Sequence, residues 1–169
     1  VLAMASLPTY DLNAPASIYN KEMLAAGMTD EELAAAADTL QNMQWRNKAI
    51  NDTFQPGSTF KILTLAMALE ENKVNLTESV SCPGYKVVLG HRIHCHKTTG
   101  HGSITFPVGL QQSCNVWFMT LGERVGVDKY TEYVKAFGYR EKTGIDLPGE
   151  GSSIFTSEMS GLDLAIYAF

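Results

Sequence analysis

The distribution of apolar residues predicts a buried helix in the middle of the chain. The residues that recur at the spacing of one helix face are Ile62, Leu63, Leu65, Ala66 and Leu69. They predict a helix from about residue 59 to residue 71. A second signal lies earlier, where Thr29 and Glu32 have the spacing of a capping box ahead of an alanine-rich run. This run predicts a helix that continues to about Gln44.

Two regions carry the pattern of extended chain. Residues 1–5 are a short apolar run that predicts a core strand. The β-prone runs at 85–89 and 92–95 are separated by Gly90 and His91, which favours a tight connection. We therefore expect a β-hairpin there.

The second half of the chain predicts three more helices. They cover residues 106–112, 115–124 and 128–137, and Gly138 stands just past the last of them, where a left-handed residue can end a helix. Turns are expected at 81–84 and 98–103. The mixture of helices and strands predicts the α/β (α+β) class.

The composition suits one globular domain or a part of one. The chain has 169 residues and is 45% hydrophobic. Its net charge of -5, with no basic run, excludes nucleic-acid binding. The sequence has no stretch long and apolar enough to span a bilayer, and residues 1–6 lack the charged start of a signal peptide. We expect any membrane anchor to lie outside these residues.

The start of the central helix is the first candidate for chemistry. A turn formed by Pro56 and Gly57 delivers Ser58 to the helix N-terminus, where unpaired N–H groups and the helix dipole favour developing negative charge. Lys61 follows one helical turn later, so its amine can reach the Ser58 hydroxyl. If burial lowers the pKa of Lys61, the neutral amine can accept the serine proton. A helix cap followed by a surface lysine would give the same spacing.

The seven residues from Gln55 to Lys61 resemble the nucleophile segment of class B penicillin-binding proteins. Residues 2–13 are similar to the segment that precedes this serine in the family, and residues 100–102 are similar to another of its signatures. The resemblance implies the penicillin-recognition fold shared with serine β-lactamases, a mostly antiparallel sheet flanked by helices. We expect residues 1–169 to form a single, incomplete transpeptidase domain.

A second motif lies between two of the predicted helices, where side chains can point into a cleft. An acyl-transfer enzyme needs a group that returns a proton to the leaving amine and a polar group that hydrogen-bonds the substrate. Ser113 suits the first role and Asn115 suits the second. Ser113-Cys114-Asn115 also matches the Ser-x-Asn motif of the same family, at the family's usual distance from the serine.

A third triplet, Lys142-Thr143-Gly144, spells the family motif that binds the substrate carboxylate and helps to form the oxyanion hole. However, the turn formed by Pro148 and Gly149 follows too closely for a strand that must pair with substrate. Residues 143–150 instead resemble the segment between the second and third motifs. We expect the third motif, like the membrane anchor, to lie outside these residues, and these residues alone to be inactive.

The resemblance implies a bacterial peptidoglycan D,D-transpeptidase at the extracytoplasmic face of the cell membrane, serving cell shape, division or sporulation. Ser58 would attack a stem peptide at its penultimate D-alanine, with Lys61 as base, and a neighbouring stem would resolve the acyl-enzyme into a cross-link. Stem peptides and β-lactams are the implied ligands and a glycosyltransferase is the implied partner, and the chemistry needs no cofactor. A β-lactamase, a β-lactam sensor domain or a catalytically idle scaffold are the alternatives.

Three cysteines form a further candidate group with the histidines around Cys95. The residues concerned are Cys82, Cys95, Cys114, His91, His94, His96 and His101. Three thiolates and one imidazole would suit tetrahedral zinc, but the spacing matches no standard finger and does not select a histidine. A disulfide from Cys95 to Cys114 or Cys82, or three free thiols, are the alternatives. Cys114 is the middle residue of the second motif, so either linkage would lie beside the candidate site.

Overall fold

The computed structural model describes residues 1–156 and 158–169. The chain forms two compact units. The first comprises Val1–Thr53 and Gly144–Ser152, and the second comprises Phe54–Thr143 and Ser153–Phe169.

Four short helices form the regular structure of the first unit: α1 (Lys21–Leu24), α2 (Asp30–Ala35), α3 (Ala37–Trp45) and α4 (Lys48–Asn51). The predicted capping box is present, because the Thr29 hydroxyl accepts from the Glu32 N–H and the Glu32 carboxylate accepts from the Thr29 N–H. The prediction of one continuous helix to residue 44 is wrong. Helix α2 ends at its C-cap, Ala36, and a separate helix, α3, follows. The end of α3 is held by Gln44 and Trp45, which donate to the backbone carbonyls of residues 17 and 15.

The core strand predicted for residues 1–5 is also wrong. These residues are in no strand, and the side chains of Val1 and Leu2 are fully exposed. An apolar run becomes a strand only where a neighbouring strand pairs with its backbone. In the described part of the chain every strand pair lies in the second unit.

Among its described residues, the second unit contains a 3-10 turn, five helices and four strands. They are the turn Gly57–Thr59, α5 (Lys61–Glu70), β1 (Ser79–Cys82), β2 (Tyr85–Val88), β3 (His91–His94), β4 (Gly102–Thr105), α6 (Phe106–Gln111), α7 (Asn115–Val125), α8 (Val127–Ala136) and α9 (Gly161–Tyr167). The helices predicted at residues 106–112, 115–124 and 128–137 are confirmed as α6, α7 and α8, with ends within two residues of the predicted ones. The central helix is shorter than expected because its first residues form the 3-10 turn.

The strands form two antiparallel pairs, β1 with β4 and β2 with β3. The predicted hairpin is confirmed, but its turn lies one residue earlier than expected. Leu89 and Gly90 both have positive φ, as a tight hairpin turn requires, and His91 already belongs to β3. Helices combined with antiparallel strands confirm the α+β class.

The buried core of this unit is organised around α7. The helix is enclosed on most sides, and its buried residues are Val116, Trp117, Phe118, Met119, Leu121, Gly122 and Val125. Helices α5 and α9 both pack against it. A Cβ at Gly122 would lie 2.6 Å from the Ala168 Cβ, so the end of α9 approaches α7 at a distance that only glycine permits. In the described part of the chain, no helix is long and apolar enough to cross a bilayer.

Candidate active site

The four residues that the sequence predicted for chemistry meet at one nitrogen atom. Lys61 Nζ donates to Ser58 Oγ at 3.2 Å and to Ser113 Oγ at 2.8 Å. The same nitrogen lies 2.8 Å from the Ser113 carbonyl oxygen and 2.8 Å from Asn115 Oδ1. The lysine side chain is buried, with Lys61 only 2% exposed. The structure therefore joins the two motifs, which are 52 positions apart in sequence, through one amine.

The turn before α5 presents Ser58 to solvent while it keeps Lys61 inside. Gly57 has φ +55, and the Thr59 hydroxyl donates to the Pro56 carbonyl at 2.7 Å. Phe60 is buried edge-on against Tyr139, with the ring centroids 5.2 Å apart. These contacts fix the turn on both sides of the serine, whose hydroxyl is left at the exposed edge of the site.

The Ser-x-Asn turn is held in a conformation that the sequence did not predict. Ser113 has φ +51, in the left-handed region that residues other than glycine rarely adopt. Its N–H donates to the Leu110 carbonyl and the Cys114 N–H donates to the Gly109 carbonyl, at 2.9 and 2.8 Å. Asn115 Nδ2 donates to the His94 carbonyl at 3.3 Å, which ties the turn to the β2–β3 hairpin.

Burial lowers the pKa of Lys61 to about 8, against a smaller opposing effect of Cys95 and Cys114. A neutral amine has two N–H groups and one lone pair. The Ser113 carbonyl and Asn115 Oδ1 can only accept hydrogen bonds, so they suit the two N–H groups. The lone pair is then free to accept from a hydroxyl, and the hydroxyls of Ser58 and Ser113 are both within reach.

The three cysteines are gathered beside this site with one histidine. Cys82, Cys95 and Cys114 are all buried and are present as separate thiols. A ring nitrogen of His101 and the three sulfur atoms all lie within 4.8 Å of one another. The sequence could not select this histidine, but the pairing of β1 with β4 places Cys82 opposite Gly102, next to His101.

The surroundings of Cys95 lower the pKa of its thiol. Burial alone would raise its pKa, but hydrogen bonds from the backbone amides of Lys97, Asn115 and Val116, together with the Cys82 thiol, lower the pKa on balance. Two of these amides belong to the first turn of α7, where the helix dipole favours negative charge. The sulfur cluster and the Ser-x-Asn turn therefore share the same helix end.

The triplet rejected as the third motif does not lie in a strand. Residues 142–144 are irregular, and Gly149 lies in a turn with φ +83. The Asn51 side chain donates to the Gly149 carbonyl, and a Cβ at Gly149 would collide with that side chain. Apart from the half-buried Ile145, residues 142–149 are exposed, so this segment is a surface connection in the structure.

Comparisons with known proteins identify the family of this chain. The family model of the penicillin binding protein transpeptidase domain matches residues 1–169. Fold and sequence together therefore define a transpeptidase domain. The chain belongs to the penicillin-binding protein transpeptidase family.

The relatives are longer proteins. Stage V sporulation protein D of Bacillus subtilis is 51% identical over 110 residues, which are 64% of this chain and 17% of that protein. Peptidoglycan D,D-transpeptidase MrdA of Acinetobacter baumannii is 27% identical over 157 residues, which are 92% of this chain and 22% of that protein. The crystal structure of Pseudomonas aeruginosa PBP2 in complex with WCK 5153 shares the fold, with a TM-score of 0.77 and 22% identity over 99% of this chain and 39% of that one. The chain spans about a fifth of the length of these curated relatives.

Proposed function

We propose that the protein to which this chain belongs is a peptidoglycan D,D-transpeptidase that forms cross-links through an acyl-enzyme on Ser58. β-Lactams acylate the same serine. The observation that carries the proposal is the contact of one buried amine, Lys61 Nζ, with the oxygens of Ser58, Ser113 and Asn115. Membership of the transpeptidase family and a relative named as a peptidoglycan D,D-transpeptidase support it.

Acylation begins with the neutral Lys61 amine, which accepts the proton of the Ser58 hydroxyl. Ser58 Oγ forms a bond to the carbonyl carbon of the penultimate D-alanine, and the bond from that carbon to the terminal D-alanine nitrogen breaks. The leaving amine needs a proton, and the Ser113 hydroxyl, 2.8 Å from Lys61 Nζ, passes it on from the lysine. Terminal D-alanine leaves, and the lysine is neutral again.

Deacylation runs through the same groups in reverse. The amine of a neighbouring stem peptide attacks the Ser58 ester, and its proton passes through Ser113 and Lys61 to the departing serine oxygen. The product is a new amide bond and a free Ser58. A β-lactam opens its ring amide on the same serine, but its amine stays attached to the acyl group and blocks the acceptor.

Asn115 positions both lysine and substrate. Its Oδ1 accepts from Lys61 Nζ, which fixes the direction of the amine. Its Nδ2 lies at the edge of the site, and the His94 carbonyl orients it there. From this position it donates to a carbonyl of the bound stem peptide.

Nucleophile, base and proton relay are all side chains of the protein, so this chemistry needs no cofactor. The natural setting is the extracytoplasmic face of the bacterial membrane, with an anchor outside these residues and a glycosyltransferase as partner. The oxyanion strand is also expected outside them, since residues 142–144 form no strand. These 169 residues alone are then inactive, because the missing donors cost on the order of 3 kcal/mol or more of transition-state stabilisation.

The test follows the fate of a stem pentapeptide incubated with the full-length protein and an acceptor amine. Mass spectrometry should find free D-alanine and the amide joined to the acceptor, and the Ser58→Ala variant should form neither. Ser79→Ala, an exposed serine on β1, is the matched control and should match wild type. Rapid release of penicilloate without transpeptidation would favour a β-lactamase. If the wild-type protein forms neither product, and the full-length Ser58→Ala variant still complements a cell that lacks the protein, the scaffold alternative is supported.

A further inference from the structure

The group of Cys82, Cys95, His101 and Cys114 is drawn together from four separate places in the fold. Cys82 ends β1, Cys95 follows β3, His101 precedes β4 and Cys114 precedes α7. The three sulfurs and one imidazole nitrogen form a cluster within 4.8 Å. The three cysteines are 0–1% exposed and His101 is half-buried, so this polar group is shielded from solvent on most sides.

His101 lies from two of the sulfur atoms at the distances that a tetrahedral ion requires. Ligands at about 2.3 Å for sulfur and about 2.0 Å for nitrogen stand about 3.5–3.8 Å apart around a tetrahedral centre. His101 Nδ1 lies 3.5 Å from Cys82 Sγ and 3.7 Å from Cys95 Sγ. Three thiolates and an imidazole are the donors that zinc prefers, whereas magnesium and calcium require oxygen ligands.

Two glycines let the backbone segments around the group lie close together. A Cβ at Gly84 would lie 2.0 Å from the Thr98 carbonyl oxygen, and a Cβ at Gly100 would lie 2.3 Å from the Cys82 carbonyl oxygen. Glycine at both positions therefore lets the turn after β1 press against the loop that carries His101. The Cys95 N–H donates to the Gly84 carbonyl at 2.9 Å, and this bond holds the end of β3 against the same turn.

We propose that Cys82, Cys95, His101 and Cys114 bind one zinc ion in a tetrahedral site whose role is structural. All four positions are taken by protein ligands, so no coordination position is open for water or substrate. Each thiol that joins the site loses its proton to solvent, and His101 binds through Nδ1 as a neutral imidazole.

The position of Cys114 gives this site a consequence for catalysis, which rests on the proposed function. Cys114 stands between Ser113 and Asn115, and both neighbours contact Lys61 Nζ. A metal bond at Cys114 anchors the turn that Ser113 makes with a positive φ. Loss of the ion should therefore slow acylation of Ser58 by about 10- to 100-fold, the cost of a small displacement of a catalytic group.

The first test is the metal content of the full-length protein, purified without metal-affinity steps and dialysed against a weak chelator. Elemental analysis should find one zinc per chain. Thiol titration under native conditions should release that zinc as the cysteines react. A metal-free protein with three free thiols, or with a disulfide within the group, overturns the proposal.

Cobalt substitution tests the ligand set without an activity assay. Co(II) in place of zinc should give the thiolate-to-cobalt charge-transfer band and the intense d–d absorption of tetrahedral coordination. Cys82→Ser should weaken the charge-transfer band, and His101→Ala should lower zinc content and the thermal midpoint. His91→Ala, an exposed histidine on β3, is the matched control and should keep the zinc of wild type. An octahedral spectrum contradicts the assignment.

His96 is the competing ligand, because its Nδ1 lies 3.8 Å from Cys95 Sγ. If His96→Ala loses zinc and His101→Ala retains it, the assignment of His101 is wrong. Penicillin labelling in the same samples separates the two proposals. Zinc without any Ser58 adduct contradicts the proposed function alone, whereas an adduct in a zinc-free protein contradicts the metal site alone.

Discussion

Lys61 Nζ lies 3.2 Å from Ser58 Oγ and 2.8 Å from Ser113 Oγ. One amine thus contacts both the hydroxyl proposed to lose a proton and the hydroxyl proposed to return it. Because Lys61 is almost fully buried, its charged form is disfavoured, and the amine can exchange protons near neutral pH.

Lys61→Arg should abolish most of the acylation while it keeps a positive charge in the site. A guanidinium does not lose its proton in proteins, so it cannot accept one from Ser58. The rate of labelling by a fluorescent penicillin should fall about 10²- to 10⁴-fold, the usual contribution of a general base. Lys73→Arg, an exposed lysine after α5, is the control and should label at the wild-type rate. Equal rates for Lys61→Arg and wild type would remove lysine from the mechanism.

The acylation rate should rise with pH and level off above about 8. Burial lowers the pKa of Lys61 to about 8, and only the neutral amine acts as base. Below that pKa the neutral fraction, and with it the rate, should fall about tenfold for each pH unit. Stopped-flow measurements with a chromogenic β-lactam give the profile. A rate that stays constant from about pH 6 to pH 9 is incompatible with a lysine base of this pKa.

Asn115→Asp should shift that pH profile to higher pH. A carboxylate in place of the amide oxygen, which lies 2.8 Å from Lys61 Nζ, favours the charged form of the lysine and raises its pKa. Asn115→Ala removes the hydrogen bond without adding charge, so it should slow acylation with no upward shift. The same stopped-flow assay on both variants distinguishes them. An unchanged profile for Asn115→Asp would show that Asn115 does not face the amine in solution.

Gly109→Ala should destabilise the second unit. A Cβ at Gly109 would lie 2.3 Å from Cδ1 of the Trp117 ring, and that ring is held by a hydrogen bond from Nε1 to the Ile104 carbonyl. Overpacking of this kind costs about 1–3 kcal/mol. Denaturant unfolding of the full-length protein should show the loss in the transition of this unit. Leu110→Ala, the half-exposed neighbour, should cost much less, and an equal loss in both variants would mean that α6 is not packed as described.

Several elements of both units could be predicted from sequence because their signals are local. The Thr29 capping box and the hairpin at residues 85–95 depend on residues close in sequence, and both are present. The helix after Ser58 was predicted from its apolar period, but its first turn is 3-10, which periodicity does not reveal.

The remaining features depend on contacts between distant residues. The strand predicted for residues 1–5 fails because pairing is a tertiary property, and the helix that follows the break at Ala36 is held by bonds to residues 15 and 17, which are distant in sequence. Ser113 and Lys61 could be assigned to one site only through family resemblance, since no local pattern joins positions 52 apart. The choice of His101 among four histidines needed the pairing of β1 with β4, which places it beside Cys82.

The most direct test of the account is the intact mass, followed by peptide mapping, of the full-length protein after incubation with a penicillin. We predict one stable adduct per chain on the peptide that contains Ser58, and none on the Ser58→Ala variant. A folded wild-type protein with no adduct, or with an adduct on another serine, would contradict the central claim and reduce Ser58 to the first turn of a helix.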